Sequence, residues 1–201
     1  MKKLVIGLVI VCLIIGVLSF VGCGGNIGKT EEQQFNDAKQ KFDNYTVDVT
    51  IQYAGGDKYV STLMCDGQKG KLSVKSPAES VVYFSEDYGK VFSYEEENKE
   101  WEEYGSVSTI EEATSDYNGY VYIIQTLFFD DYAKDGEYFV AKESALSAYS
   151  EEFGIEIQSV KVKMENSKFI SATAIVEYFG ARLEVQYSFS DYGTTKVNLP
   201  D

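Results

Sequence analysis

Between residues 45 and 53 every second side chain is apolar. Tyr45, Val47, Val49, Ile51 and Tyr53 fall on one side, and Thr46, Asp48, Thr50 and Gln52 on the other. Only an extended backbone sends alternate residues to opposite faces, so this stretch predicts a strand with one face buried and one face wet. The same period of two returns near the end of the chain. Val160, Val162 and Met164 alternate with Lys161 and Lys163; Ile170, Ala172, Ala174, Val176 and Tyr178 alternate with Ser171, Thr173 and Glu177. Leu183, Val185, Tyr187 and Phe189 then alternate with Glu184, Gln186, Ser188 and Ser190, after a turn at Phe179-Gly180. One-faced strands of this kind belong to antiparallel sheets whose apolar side is covered by something else.

Further strand-like runs follow the first, at 59–65, 69–75, 80–85, 90–94 and 100–104. They are punctuated by Ala54-Gly55-Gly56-Asp57, Asp66-Gly67, Asp87-Tyr88-Gly89 and Glu97-Asn98-Lys99. Six short strands with turn-length gaps predict an antiparallel meander. The 16 Tyr and 12 Phe also suit strands better than a helical bundle.

Helical periodicity appears in three places. Thr30 with Gln33 forms a capping-box pattern, and Phe35, Ala38 and Phe42 recur at helical spacing, predicting an amphipathic helix over 31–43. Ser108 with Glu111 is a second such pattern, opening a short helix. Tyr120, Ile123, Ile124, Leu127 and Phe128 then follow i, i+3, i+4, i+7, i+8, with Val121, Tyr122 and Phe129 on the flank. Residues 144–153 form a further helix with Ala145, Leu146, Ala148 and Tyr149 inside, stopped by Gly154. Helix, meander, central helices and closing strands, with no linker between, predict one α+β domain over residues 30–201.

The absence of His excludes Ser-His-Asp and Cys-His nucleophile systems, a His-ligated zinc and an imidazole pH switch. A net charge of −14 argues against nucleic-acid phosphates as partner. No Gly-rich phosphate-binding motif is present, and no acidic cluster has the spacing of a calcium loop, so the sequence predicts neither cofactor nor metal. Glu100, Glu102 and Asp116 are available to a carboxylate enzyme, but no motif joins them and the chain reads as non-enzymatic.

Met1-Lys2-Lys3 is a short positive segment, 4–21 is almost wholly apolar, and Gly22-Cys23 follows. This is the order of a signal peptide. Phe20-Val21-Gly22-Cys23 resembles the lipobox of bacterial lipoproteins, with Phe20 where Leu is usual. The resemblance implies diacylglycerol on the Cys23 sulfur and cleavage between Gly22 and Cys23. Residues 1–22 are then the signal, and 23–29 the lipidated Cys and a flexible tether reaching on the order of 13 Å. An uncleaved apolar anchor is the alternative; both readings place the rest of the chain at the extracytoplasmic face of the cell membrane. With Cys12 removed and Cys23 acylated, Cys65 is the one thiol left, predicted as a buried, inert group at a strand end. The acidic excess is concentrated: residues 86–152 carry 4 basic and 18 acidic side chains. That stretch reads as a solubilising face, or as one that meets cations or a basic protein partner.

The closing stretch Ser188-Phe189-Ser190-Asp191-Tyr192-Gly193-Thr194-Thr195-Lys196-Val197-Asn198-Leu199-Pro200 resembles the last strand and exit of bacterial lipoproteins related to the LolA/LolB and LprG/LppX carriers. The element order from about residue 30 onward is similar too. The resemblance implies a strongly curved antiparallel sheet, an open half-barrel, whose concave face is covered by helices and encloses an apolar cavity for lipid or acylated ligands. Tyr120, Ile123, Ile124, Leu127 and Phe128 would then line that cavity from the covering helix. An acidic envelope protein with a solid core, meeting a basic partner, is the competing expectation. The address is testable: Cys23→Ala leaves a full-length precursor that incorporates no labelled palmitate, whereas the native chain is shortened and labelled.

Overall fold

The computed structural model describes residues 28–96 and 99–201. The signal segment, Gly22, Cys23 and most of the tether lie outside the described residues. Eleven antiparallel strands form one open sheet in the spatial order β6-β5-β4-β3-β2-β1-β11-β10-β9-β8-β7. The first six are β1 (Asn44–Tyr53), β2 (Lys58–Asp66), β3 (Lys69–Ser76), β4 (Ser80–Asp87), β5 (Lys90–Glu95) and β6 (Trp101–Glu103). The others are β7 (Tyr132–Asp135), β8 (Tyr138–Ala141), β9 (Glu156–Glu165), β10 (Lys168–Tyr178) and β11 (Ala181–Ser190). The chain begins in mid-sheet, runs to one edge as the six-stranded meander, crosses over, and returns from the far edge to pair β11 with β1.

The register carries the alternation of single strands across the sheet. Leu72 opposes Leu63, Leu63 opposes Val47, and Val47 opposes Phe189, so the buried sides align into one continuous apolar face. In β10 the buried set is Phe169, Ala172, Ala174 and Val176; Ile170 is not among the buried residues. A register shift between Phe169 and Ser171 makes Ile170 the extra residue of a bulge, which flips the phase that strict alternation assigns to it.

Helix α1 (Glu31–Lys39) is capped as expected: the Thr30 hydroxyl accepts the Gln33 N–H and the Gln33 side chain accepts the Thr30 N–H. It ends four residues earlier than predicted, but Phe35, Ala38 and Phe42 are all buried. Phe35 sits among Phe129, Tyr132, Phe139 and Phe169, with ring centroids 5.1–5.7 Å away. This aromatic knot ties the helix to strands β7, β8 and β10. Helix α5 (Glu143–Phe153) ends at Gly154 in the left-handed conformation, as the sequence indicates, and packs along β9. Ala145 and Leu146 are buried, while Ala148 faces solvent and Tyr149 is half-buried, so this helix presents a narrower apolar stripe than expected.

Between β6 and β7 lie three one-turn helices, α2 (Ile110–Ala113), α3 (Ser115–Asn118) and α4 (Tyr122–Thr126), and a 3-10 turn (Phe129–Asp131). The continuous helix expected over 120–129 is absent. Gly119 and Tyr120 both take positive φ, and the chain reverses there. Gly119 is required twice over: its φ is +60°, and a Cβ at this position would lie 2.3 Å from a Val185 methyl carbon. At the other end, Leu127 is extended, and the Lys39 ammonium of α1 donates to the carbonyls of Thr126 and Leu127 at 3.4 and 2.8 Å. The cap of α2 is displaced by one residue from the predicted Ser108–Glu111 pair: the Thr109 hydroxyl accepts the Glu112 N–H at 3.2 Å. The β7–β8 hairpin, turning at Gly136, lies in a stretch for which no element was expected.

Beyond β11 the tail crosses the opposite, outer face of the sheet. The Thr195 hydroxyl bonds the Thr46 hydroxyl at 3.0 Å, Asn44 holds the Thr195 backbone through both ends of its amide, and Val197 N–H reaches the Asp66 carboxylate at 3.3 Å. The buried positions of the tail, Thr195 and Val197, are two apart, as an extended strap laid on a sheet requires.

The aromatic knot makes a sharp prediction. Phe35→Ala costs about 3–5 kcal/mol, as deletion of a buried ring does, whereas Phe179→Ala, at a 92% exposed turn tip, changes stability by less than about 0.5 kcal/mol. Urea unfolding with an unchanged slope checks both.

Candidate functional site

The sequence-predicted lining residues separate in the fold. Ile123 and Ile124 are 1% exposed and Leu127 0%, and none of the three lines either of the concavities described below. They fill the middle of the sheet's apolar face. Tyr120 is buried too, but borders a pocket at the end of the sheet. Phe128 points out of the core at 65% exposure, under the Lys39 ammonium at 4.7 Å.

Among the concavities of the described residues, two flank this filled centre. The larger, about 420 Å³, lies on the β3–β5 wing. Leu72 and Val74 of β3 and Val82 and Phe84 of β4 supply an apolar floor; Tyr104, Ala113 and Tyr117 come from the crossover side; Glu79, Glu95 and Glu96 bring carboxylates to the rim. The smaller, about 250 Å³, lies where β2, β1, β11 and β10 end together. Its residues on the helix-covered side follow from the register: Tyr59 opposes Ile51, Tyr53 opposes Leu183, and Tyr178 stands two residues beyond Val176, the other partner of Leu183. Tyr117 and Tyr120 add two more phenols from above, with Asp116 beside them. The paired rings are close: Tyr53 to Tyr59 5.4 Å and Tyr120 to Tyr178 5.9 Å between centroids. Tyr117 borders both concavities and is the wall between them.

The position of the crossover fixes both. Ile110 presses on β3 at Gly70, where an added Cβ would stand 2.6 Å from an Ile110 methyl carbon. The Ile110 N–H donates to the Glu86 carboxylate at 2.8 Å; burial, more than the nearby Glu111 charge, raises the pKa of Glu86. Glu111 accepts from Tyr45 Oη at 3.1 Å, Gln125 Nε2 at 3.2 Å and Cys65 Sγ at 3.7 Å. Asn118 donates to the Glu111 carbonyl at 2.7 Å and accepts the Val121 N–H at 3.2 Å, and Ser61 Oγ holds the Tyr117 carbonyl at 2.6 Å. Tyr187 Oη donates to the Gly119 carbonyl. Burial first, and then Glu111, push the Cys65 thiol well above its ordinary range, which suits the expected inert group. Burial also raises the Tyr53 and Tyr120 phenols, each then raised further by its neighbouring ring and by Asp116.

Among the described residues no three carboxylate or thiol side chains converge on a metal-sized space, and no helix is long and apolar enough to cross a membrane. Glu102 lies exposed on β6 while Asp116 lies at the tyrosine pocket. A scan of protein-family models and a search of characterised proteins both found no match to this chain.

The tyrosine pocket is missed by sequence reading because its lining comes from four strands and the crossover, in three stretches of chain (51–59, 115–120 and 178–183) that are far apart in sequence. The cue, Tyr at strand ends (Tyr53, Tyr59, Tyr178), is visible only once the register is known. Cys65 reports on the latch: at pH 8 a disulfide reagent labels it only when residues 107–127 lift. Glu111→Ala, losing hydrogen bonds worth about 1–3 kcal/mol, speeds that labelling roughly 5- to 150-fold.

Proposed function

We propose that this chain is an extracytoplasmic lipoprotein, tethered through Cys23, whose folded domain is a binding module for the apolar chain of a neutral or cationic amphiphile. The observation that carries the reading is the open groove on the β3–β5 wing. Its volume of about 420 Å³ falls in the ~300–1,000 Å³ range of small-ligand pockets, and its floor is aliphatic and aromatic. The open half-barrel implied by the carrier-like lipoproteins supports it: twisted antiparallel sheets of more than about ten strands curl, and a curled sheet has a concave face to fill. Burying a chain of ~16 carbons gains on the order of 10 kcal/mol at ~0.8 per methylene, against an association cost of about 4–15 kcal/mol, so micromolar binding is within reach. The rim selects the head. Glu79, Glu95 and Glu96 repel a fatty-acid carboxylate and tolerate a neutral or positive headgroup.

A second reading has its own observation. The centre of the sheet is filled by Ile123, Ile124 and Leu127, as befits a solid-core envelope protein whose acidic 86–152 region meets a basic partner. Such binding weakens steeply with added salt, whereas chain burial does not.

Native mass spectrometry of the full-length lipidated protein, purified from its host, should show a co-bound amphiphile. A neutral fluorescent naphthylamine probe should bind at micromolar concentration, and Val82→Trp, which fills the groove floor, should weaken it at least about tenfold (1.4 kcal/mol) with the fold intact. Clean apoprotein together with no probe uptake refutes the groove reading and leaves the acidic-partner reading.

A further inference from the structure

We propose that the tyrosine pocket at the end of strands β1, β2, β10 and β11 is a binding site for an organic ammonium group. Three observations converge on that chemistry. First, the walls are phenols: Tyr53, Tyr59, Tyr117, Tyr120 and Tyr178 border a space of about 250 Å³. Aromatic faces attract a cation within about 6 Å of the ring centroid, and a pocket of several rings is the usual receptor for a quaternary ammonium. Second, among the described residues the only charge bordering the pocket is negative. None of the lining residues is basic, and Asp116 makes no ion pair with any described residue. Third, the floor is Ile51 and Leu183. A small inorganic cation would have to shed its water against that floor without gaining oxygen ligands, whereas an alkylated ammonium carries a weakly hydrated charge and apolar surface together.

The size of the pocket agrees. At about 250 Å³ it is smaller than sites that take whole drug-sized ligands, and it suits a headgroup. Tyr117 separates it from the chain-binding groove, so a single amphiphile could lay its chain on one side of this ring and its ammonium on the other. The inference deepens the amphiphile reading by naming the head, but it stands without it, since a free organic cation meets the same rings and carboxylate.

The test uses the full chain in a nonionic maltoside detergent and titrates it calorimetrically with choline chloride, and with 3,3-dimethylbutanol, which has the same shape and no charge. Choline should bind saturably and the neutral alcohol at least about tenfold more weakly. Asp116→Asn and Tyr59→Leu should each weaken choline by roughly 3- to 30-fold, while Tyr59→Phe, which keeps the ring, restores it. Val82→Trp should leave choline untouched while weakening the apolar probe, so failure of the groove and failure of this pocket are read separately. Dodecylphosphocholine distinguishes the sources. Binding tighter than choline identifies a lipid headgroup; choline binding with phosphocholine rejected identifies a free cation. Equal affinity for the neutral alcohol, or no saturable binding of choline, overturns the proposal, as does choline binding indifferent to both Asp116→Asn and Tyr59→Leu.

Discussion

An eleven-stranded sheet with one apolar face has more surface to hide than the five short helices among the described residues can cover, and the rest of this structure follows from how the covering is distributed. Over β7–β10 the cover is α1 and α5, held by the Phe35 aromatic knot. Over the centre it is the crossover, with Ile123, Ile124 and Leu127 pressed onto the strands. On the β3–β5 wing the cover thins to α2 and the side chains of Tyr104 and Tyr117, and at the end of the central strands it thins to residues 115–120. The two concavities lie where the lid runs out, and they depend on where the lid is fastened.

The fastening is steric and polar together. Gly70 and Gly119 let Ile110 and Val185 approach backbone more closely than any side chain permits. Around these contacts, Glu111, Asn118, Tyr45, Gln125 and Ser61 satisfy one another and the backbone of the one-turn helices. Helices of four or five residues have almost no stability of their own. Their positions are set by these contacts, which is why walls built from them can keep Tyr117 between the two concavities.

Chemistry follows from what the walls lack. Without His, and with carboxylates gathered in the middle of the chain, the concavities offer rings, methyl groups and negative charge. Such a surface can hold apolar chains and positive groups. The lipidated Cys23 of the proposed anchor would keep the domain beside a bilayer, where amphiphiles with both features are concentrated.

Period-two alternation was enough to place four of the strands, because a strand's faces are assigned by its own residues; strand-like runs between turn signals placed five more, and local capping chemistry placed α1 and α5. The exceptions have long-range causes. Ile170 changes sides because a bulge forms against β9. The greasy run at 120–129 is no single helix because Gly119 must clear Val185, 66 residues away, and because Lys39 takes the carbonyls at its end. The β7–β8 hairpin was not read from the sequence, because its two four-residue strands are too short to show a period among the acidic, mixed residues around them. The buried membership of Ile123, Ile124 and Leu127 could be read from the chain, but whether they bordered a void could not. Burial is written in a residue's own chemistry, whereas empty space belongs to the distances between elements, and only the tertiary structure decides those.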